Sequence, residues 1–457
     1  MGEQITALRA RACAAHRDGK LAEARAGYAA FLAQVPDDAG IWSNLGALFR
    51  AGAQHDLALQ SQERAYRLNP DDKGIANNLA NILSDLGQYD RVIALRERIL
   101  ARDPADHNQK AMLGKALRGA GRYGEAIAAL EKAIPQHPGE HELKIQLALT
   151  QLADRRYAAG FRTYDIRWQT GELTPRKTSL PKWDGGPLDG KSVLVLPEQG
   201  FGDAVTFARF IPVLRRFNPA RILLLCEKPL MRLMQDVQGP DWIGPEVPTG
   251  GADVWTNMMD LPPLHFDHDK AVPPPTRLHV PADSRARAKA IVAPHKSRFK
   301  IGVVWCGSVT YRGNAFRSFH HSQFHALLDI PDVQMFSLYK GPELAAFQQD
   351  GTNALIVDAA GTDRDFADCA AMMQEMDLII TSCTATCHVA GSLGVPTWTL
   401  LHWDAFWLWQ HLGADSPWYP NMRLIRQSRP RDWDGVFAKV RTRLLARLAD
   451  WKKERRA

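Results

Sequence analysis

The stretch PDDAGIWSNLGALFRAGAQHDLALQSQERAYRLNP, residues 36–70, holds the pattern that decides the fold of the first third of the chain. It begins and ends with proline, and the spacing continues, so that Pro36, Pro70, Pro104 and Pro138 each lie 34 residues apart. Such a period is the length of one helix–turn–helix unit in a helical repeat array. Proline suits the end of a unit because it cannot donate the hydrogen bond that continues a helix. The spacing predicts about four and a half stacked units.

Small and large residues recur at fixed places within each unit. The second unit carries the fullest set, Trp42, Leu45, Gly46, Phe49, Ala58 and Ala65. The fourth unit repeats most of it as Leu113, Gly114, Leu117, Ala126 and Ala133, and the third is looser, with Leu79, Ala80 and Leu83. The small residues let the two helices of a unit touch. The pattern resembles the tetratricopeptide repeat, which implies an α-solenoid over residues 1–168 that holds another polypeptide.

The composition is that of a globular protein with more than one domain. The 457 residues exceed a single core, and 45% apolar with 23% charged residues is ordinary for such a protein. No stretch approaches the ~20 apolar residues of a membrane span, and the opening residues lack the apolar core of a secretory signal. The six cysteines form no C-x-x-C pair, and the net charge of +7 is spread out. We therefore expect a cytoplasmic protein with no membrane span and no nucleic-acid partner.

The second part of the chain changes its periodicity. Residues 169–191 are rich in proline, glycine and lysine, which is typical of a linker. Short apolar runs then alternate with helical spacing in two blocks, 192–297 and 298–457, the latter ending in a C-terminal helix. This alternation predicts parallel sheets in two Rossmann-like lobes, although residues 242–280 show no clear period. Ligands of such sheets bind beyond the carboxyl ends of the strands, so chemistry is expected in the loops there.

Two of these loops carry residues suited to contact with a ligand, and the second of them suits a diphosphate. The first, PEQGFGDAVTFARF, contains Gly202 and Asp203. Glycine allows the backbone to approach a ligand, and the aspartate suits the first turn of a helix, where simple capping is the alternative. Arginine pairs with phosphate bidentately, although ordinary surface arginines would give the same pattern. The second loop, VVWCGSVTYRGNAFRS, combines a glycine, two hydroxyl groups and two arginines: Gly307, Ser308, Thr310, Arg312 and Arg317.

A third loop, within DLIITSCTATCHVAGSLGVP, joins a strand ending at Ser382 to a helix. Free N–H groups at such a helix start, around Thr384, Ala385 and Thr386, bind phosphate readily. His388 lies one turn further along. It is either a donor to a nucleotide or sugar oxygen or a buried histidine satisfied by the backbone.

A last segment, LLHWDAFWLWQHLGADSPWYPNMRLIRQ, is crowded with aromatic residues: Trp403, Trp407, Trp409, Trp418 and Tyr419. Such rings suit stacking on a base or sugar, or packing between lobes, and packing is favoured for Trp418. Cys383 and Cys387 share one helix face without a further ligand pair, so a metal site is not expected.

Together these segments resemble bacterial tetratricopeptide proteins that carry a glycosyltransferase of the GT-B fold. The resemblance runs from the repeats through WDGGPLDGKSVLVLPEQGFGDAVTFARFIPVL to SPWYPNMRLIRQ. The second half is similar to the family-9 glycosyltransferases, which include the ADP-heptose heptosyltransferases, and more distantly to the O-linked N-acetylglucosamine transferases. This implies an acceptor-side lobe at 192–297 and a donor-side lobe at 298–457. It also implies a nucleotide-sugar donor and neither cofactor nor metal.

The same resemblance implies roles for particular residues. Asp203 matches the general base that deprotonates the acceptor hydroxyl, and Arg312 matches a cation placed against the donor diphosphate. Cys383 is a departure, because relatives carry aspartate there; a changed donor or a lobe kept only for binding would follow. The donor-binding positions are Gly202, Gly307, Ser308, Arg317, Thr384, Ala385, Thr386 and His388.

In the repeats, three asparagines suggest where a peptide binds. Asn44 and Asn78 occupy the same place in successive units, and Asn81 lies one turn further. This is similar to the asparagine ladder of the O-linked N-acetylglucosamine transferases, whose amides pair with an extended peptide backbone. Surface asparagines are the alternative, because Met112 and Gln146 interrupt the row.

Three functions are compatible with these features. The first is a glycosyltransferase that modifies a protein held in the repeat groove, with flagellin or another surface-structure protein as acceptor by family analogy. The second is a glycosyltransferase acting on a lipopolysaccharide or other glycan precursor, with the repeats docking an assembly partner. The third is a catalytically inactive scaffold that retains the GT-B lobes, which the cysteine at 383 would favour.

Overall fold

The computed structural model describes every residue except Met1, Glu172, Pro175, Lys177, Thr249, Arg312, Arg456 and Ala457. The chain divides into two compact units, Met1–Thr150 and Gln151–Ala457. The first is built from helices, and the second combines parallel sheets with helices. The order of a helical repeat region followed by an α/β region is as predicted. Among the described residues, no helix has both the length and the apolar character needed to cross a membrane.

Helix–turn–helix pairs build the first unit. Asp38, Asp72 and Asp106 recur every 34 residues, and each carboxylate accepts a hydrogen bond of 2.8–3.0 Å from a backbone N–H three residues on. Such caps satisfy donors that have no partner inside the helix, so they fix where three of the helices begin. The helices are α1 Gly2–Arg17, α2 Leu21–Leu32, α3 Ala39–Ala51, α4 His55–Leu68, α5 Lys73–Asp85, α6 Tyr89–Arg102, α7 His107–Gly119, α8 Tyr123–Ala133 and α9 His141–Ala153, whose last residues enter the second unit.

Small side chains lie where the helices of the first unit meet. Ala58, Ala80 and Ala126 are completely buried within one apolar cluster. At Gly114 a Cβ atom would come within 2.7 Å of the Leu130 side chain, so α7 and α8 pack too closely there for a larger residue. This is the arrangement that the small residues of the repeat pattern predict.

The second unit contains two sheets whose strand pairs are all parallel. Its elements are α10 Tyr157–Thr163, β1 Ser192–Leu196, α11 Phe201–Phe207, β2 Arg221–Leu225, β3 Trp242–Gly244, β4 Val254–Asn257, α12 Pro262–Phe266, α13 Ala282–Val292, β5 Phe299–Val304, α14 Asn314–Arg317, β6 Val333–Ser337, α15 Leu344–Gln349, β7 Val357–Asp358, α16 Phe366–Gln374, β8 Leu378–Ser382, α17 Ala385–Ser392, β9 Thr397–Leu401, β10 Met422–Arg426 and α18 Trp433–Glu454. The first sheet has the order β3-β2-β1-β4, and the second has the order β10-β9-β8-β5-β6-β7. Apolar runs at β1, β2, β5, β8 and β9 lie where the sequence predicts strands.

Three strands lie where the sequence shows no period. β3 and β4 fall within residues 242–280, and β10 lies in the aromatic-rich segment. Two of them are only three or four residues long, so they carry no readable alternation. β3 and β4 pair with the longer strands β2 and β1, and β10 pairs with β9, which has the same length of five residues.

Residues 151–168 belong to the second compact unit, whereas the sequence places them at the end of the solenoid. Aromatic side chains of α10 tie this segment to the α/β unit. Phe161 stacks on Phe266 with ring centres 5.9 Å apart, and Tyr157 meets Trp418 edge to face at 5.6 Å. These contacts join residues more than 100 positions apart, which the repeat pattern cannot indicate.

A buried ion pair strengthens the same connection. The guanidinium of Arg167 donates to both carboxylate oxygens of Glu198 at 2.7 and 2.9 Å and to Asp260 at 2.6 Å. The Arg167 and Glu198 side chains are only 3% and 4% exposed. Removing one partner of a buried pair leaves the other charge uncompensated, which costs more than the pair itself contributes.

We predict that Arg167→Met lowers the free energy of unfolding by about 3–5 kcal/mol, because Glu198 is left buried without its partner. The double variant Arg167→Met/Glu198→Gln should recover part of that loss, since the orphaned charge is gone. Urea denaturation followed by circular dichroism measures both. A single variant as stable as the unaltered protein would contradict a stabilising role for this pair.

Candidate functional site

The first candidate residue, Asp203, lies in the opening turn of α11, after β1. Its carboxylate accepts a hydrogen bond from the Gly200 backbone N–H at 3.1 Å and so caps the helix. Burial raises the pKa of Asp203 to about 6, against the opposing effect of the Gly200 N–H, and the negative charge of Glu198 adds to the rise. The capping alternative is therefore realised, and it leaves a carboxyl group whose pKa is near neutrality, as a general base requires.

The starts of α11 and α17 are in close contact at Gly202. A Cβ atom on this residue would lie 2.8 Å from Cδ2 of His388 and 3.3 Å from Cα of Ala385. Any side chain at position 202 would therefore push the two helices apart. Asp203 and the start of α17, far apart in sequence, are held at one place by this contact.

His388 is held by three neighbours inside this contact: Thr206, Tyr419 and Trp409. Its Nδ1 lies 2.8 Å from the Thr206 hydroxyl and 3.2 Å from the Tyr419 hydroxyl, and the Thr206 hydroxyl donates to the Gly202 carbonyl oxygen at 2.7 Å. Because Thr206 uses its proton on that carbonyl, the arrangement favours the tautomer in which Nδ1–H donates to Thr206 and Nε2 is an acceptor. The ring stacks on Trp409 with centres 5.4 Å apart. Burial lowers the pKa of His388 to about 3, with the positive charges of Arg209 and Arg317 acting in the same direction, so the ring is neutral.

Arg317, the last residue of α14, lies at the same place, beside the start of α17. A Cβ atom on Gly307 would meet Nη2 of Arg317 at 2.6 Å and Cγ2 of Thr384 at 3.0 Å, so the three residues are neighbours. The guanidinium donates to Asn314 at 3.3 Å and covers the Tyr311 ring at 4.5 Å. In the part of the chain that the structure describes, no carboxylate forms an ion pair with it. Arg317 is thus a cation beside the start of a helix, and its Nη groups are available as hydrogen-bond donors.

Cys383 precedes α17 and lies among polar donors. The indole N–H of Trp409 donates to its sulfur at 3.0 Å. The neighbouring Cys387 thiol lowers the pKa of Cys383, and the Trp409 N–H and the charge of Arg317 act in the same direction. The position that carries a carboxylate in the resembling family therefore holds a thiol whose environment favours its anion.

The structure brings most of the predicted donor-side residues together and leaves others apart. Gly202, Gly307, Arg317, Thr384, Ala385 and His388 lie at this contact with Asp203. Thr386 donates its backbone N–H to the Thr384 hydroxyl at 3.3 Å, within the first turn of α17. Ser308 is exposed and its hydroxyl lies 2.8 Å from that of Thr310. Arg312, the predicted leaving-group cation, lies outside the described residues.

The aromatic segment mainly packs inside the second unit. Trp407, Trp409, Trp418 and Tyr419 are at most 3% exposed, as expected for Trp418. Trp403 remains partly exposed, edge to face with Phe316 at 6.0 Å. Among the described residues, no group of three or more His, Cys, Asp or Glu side chains could hold a metal ion.

The three asparagines of the first unit are already engaged within the repeats. Asn78 donates to the Ser43 hydroxyl at 3.0 Å, and Asn81 accepts from Arg96 at 3.1 Å. Asn44 lies 3.9 Å from the Cys13 sulfur. All three are only partly buried, so each retains some surface.

Sequence reasoning missed Thr206 as a site residue and Arg96 in the repeats, and it named Trp409 only among the rings suited to stacking or packing. Thr206 lies one helical turn after Gly202, which puts it on the same face, and this spacing could have indicated it. Trp409 and Arg96 reach their partners through tertiary contacts that carry no local signal.

The chain thus has a helical region similar to tetratricopeptide repeats, followed by a parallel-sheet α/β unit. The tetratricopeptide repeat family matches residues 9–73, 77–141 and 111–165. Protein FlbA of Caulobacter vibrioides is 27% identical over 322 residues, which cover 64% of this chain and 53% of that protein. The chain therefore spans about half the length of this curated relative.

Solved structures of repeat proteins are also similar. MamA from Desulfovibrio magneticus RS-1, residues 41 to the end, is 18% identical and covers 38% of this chain and 99% of its own, with a TM-score of 0.35. YrrB, described as a TPR protein with an unusual peptide-binding site, is 18% identical and covers 35% of this chain and 81% of its own, with a TM-score of 0.31.

We predict that the buried, neutral state of His388 makes the protein sensitive to acid. The unfolded chain takes up a proton near pH 6.5 that the folded ring refuses until about pH 3, so stability falls as the pH drops through this window. Relative to His388→Gln, the unaltered protein should lose up to about 1.4 kcal/mol more per pH unit there. Urea denaturation at pH 7, 5.5 and 4.5 measures the difference. Equal slopes for the two proteins would show that His388 protonates normally.

Proposed function

We propose that the chain is a GT-B-type glycosyltransferase that moves a sugar from a nucleotide-sugar donor to a protein held by the repeats. One observation carries the proposal. A carboxyl group with a raised pKa, Asp203, and an arginine without a described carboxylate partner, Arg317, lie at one contact between two helix starts. Sugar transfer to a hydroxyl needs a base for the acceptor and a cation for the departing diphosphate, and these are the two groups present.

Asp203 would act on the acceptor hydroxyl. Its carboxylate takes the hydroxyl proton while the acceptor oxygen forms a bond to the anomeric carbon of the donor sugar. The bond from that carbon to the phosphate oxygen breaks, and its electron pair leaves with the nucleoside diphosphate. With a pKa of about 6, Asp203 is largely ionised at neutral pH and still basic enough to accept the proton.

Arg317 and the start of α17 would stabilise the leaving group. A guanidinium forms paired, charge-assisted hydrogen bonds with phosphate oxygens. The first N–H groups of a helix have no acceptor within it and favour an anion, and α17 begins beside Arg317 through Thr384. Negative charge that develops on the diphosphate would thus be met by fixed positive groups.

His388 would accept a hydrogen bond from the donor substrate, whereas the sequence suggests that it donates one. Because its Nδ1–H donates to Thr206, Nε2 presents a lone pair near Gly202. A neutral acceptor of this kind suits a sugar or ribose hydroxyl rather than a phosphate oxygen. The ring therefore selects for a hydroxyl at that point of the donor.

The repeats would supply the acceptor, since tetratricopeptide arrays bind protein partners. Asn44, Asn78 and Asn81 remain our candidates for contact with its backbone.

A specific observation also supports the scaffold alternative, because Cys383 stands where the resembling family has a carboxylate. Under that alternative the α/β unit would bind a partner without transferring a sugar.

Replacing Asp203 with asparagine should separate chemistry from binding. The amide can still accept from the Gly200 N–H but cannot take a proton, so kcat should fall by roughly 10²–10⁴ with little change in donor affinity. In the unaltered protein kcat/KM should decline below about pH 6, as Asp203 becomes protonated. Release of nucleoside diphosphate over pH 5–8 measures both effects. Unchanged turnover in Asp203→Asn would exclude it as the base.

Arg317→Ala should weaken binding of the nucleoside diphosphate by roughly 10- to 100-fold, because charge-assisted hydrogen bonds to the phosphates are lost. Arg317→Lys should retain part of the affinity, since the charge remains without the paired geometry. Calorimetric titration with UDP, GDP, ADP and CDP measures the effect. Exposed Arg216 on the same unit provides the matched control, Arg216→Ala, which should bind normally.

Two results would count against this assignment. Equal affinity in Arg317→Ala and Arg216→Ala would remove Arg317 from the donor site. If the folded, unaltered protein binds none of the nucleoside diphosphates, the scaffold becomes the better description.

A further inference from the structure

A strained residue lies directly beside the candidate site. Gln410 follows the short 3₁₀ helix Trp407–Trp409 and has φ 61° and ψ −176°. Side chains disfavour this region so strongly that it is nearly reserved for glycine. A glycine does occur three residues later, where Gly413 has φ 89°. Glycine would adopt this backbone conformation at position 410 without strain. The presence of glutamine there points to a role for its side chain.

The side chain of Gln410 is anchored on the turn between α9 and α10. Its amide nitrogen donates to the Ala153 carbonyl oxygen at 3.0 Å, and its amide oxygen accepts from Arg155 at 2.8 Å. Both hydrogen-bonding groups of the amide are thus used on a segment about 250 residues away in sequence. Glycine at position 410 could make neither bond.

The main chain around Gln410 is clamped from the other side by Arg426. The Arg426 guanidinium donates three hydrogen bonds to carbonyl oxygens of this segment. They reach Trp409 at 2.5 Å, Gln410 at 2.9 Å and Gly413 at 2.9 Å. A turn held by its side chain on one side and by an arginine on the other keeps one conformation. Strain of this kind persists only where the surroundings enforce it.

The conformation directs Trp409 into the candidate site. Its indole is completely buried, donates its N–H to the Cys383 sulfur and lies flat on the His388 ring at an interplanar angle of 18°. Cys383 lies just before α17 and His388 lies one turn inside it. The Trp409 indole therefore contacts residues on both sides of the start of that helix. A shift of the turn at 410 would move the indole from both residues.

We propose that Gln410 is a positioning residue, which uses its anchors at Ala153 and Arg155 to hold Trp409 against Cys383 and His388. Through these contacts, the turn that follows α9 fixes the position of the first residues of α17. The positioning stands on the geometry alone, and its consequence for sugar transfer rests on the proposed function.

The test compares two variants that remove the anchor in different ways. Gln410→Gly deletes both side-chain bonds and relieves the backbone strain, while Arg155→Ala removes one anchor and leaves Gln410 intact. Both should melt within about 2 °C of the unaltered protein. Hydrogen exchange of the Trp409 indole N–H, assigned by NMR with Trp409→Phe, should be roughly tenfold faster in Gln410→Gly and should increase less in Arg155→Ala.

Unchanged protection of the indole N–H in both variants would overturn the positioning role. If Gln410→Gly unfolds, Arg155→Ala decides by the same measurement. The kinetic arm uses the nucleotide sugar whose diphosphate binds, and we expect Gln410→Gly to lower kcat more than it raises KM. Faster indole exchange without turnover from any nucleotide sugar, even in the unaltered protein, would keep the positioning role and reject the transferase.

Discussion

The contact between the starts of α11 and α17 at Gly202 is the constraint on which the candidate site depends. A Cβ atom there would lie 2.8 Å from the His388 ring and 3.3 Å from the backbone of Ala385, so only glycine lets the two helices meet. The contact places Asp203, from the loop after the first strand, beside a helix that begins after β8 in the other sheet. Thr206, one turn along α11, then fixes His388 through its hydroxyl. Without this approach the carboxylate of Asp203 and the start of α17 would not share one place.

Rigid surroundings hold this contact in position. Trp409 packs on His388 and donates to Cys383, and its own turn is clamped by Arg426 and anchored through Gln410. The pair between Arg167 and Glu198 holds the loop that leads into α11. These supports lie outside the reacting groups. They are contacts between residues distant in sequence, made by buried or half-buried side chains, and such contacts keep groups with altered pKa values in fixed positions.

The sequence predicted the elements whose signal is local and missed those set by tertiary contact. The 34-residue period indicated the helix pairs because each unit closes on itself, and short, continuous apolar runs indicated β1, β5 and β8. The short strands β3 and β4 have no pattern of their own, and no local pattern indicates the aromatic contacts that tie Tyr157 and Phe161 to Trp418 and Phe266. Within the site, Asp203, Arg317 and His388 were recognisable from loop position. The neutral His388 ring, Thr206 and the contacts of Trp409 with Cys383 and His388 were not, because they arise from partners far along the chain.

The most direct measurement is a crystal structure of the protein soaked with the nucleoside diphosphate that binds best. We expect the diphosphate between the guanidinium of Arg317 and the first N–H groups of α17, with phosphate oxygens about 2.7–3.2 Å from these donors. We also expect a ribose or sugar hydroxyl near Nε2 of His388. A diphosphate bound elsewhere on the α/β unit, with Arg317 and α17 unoccupied, would contradict the proposed site.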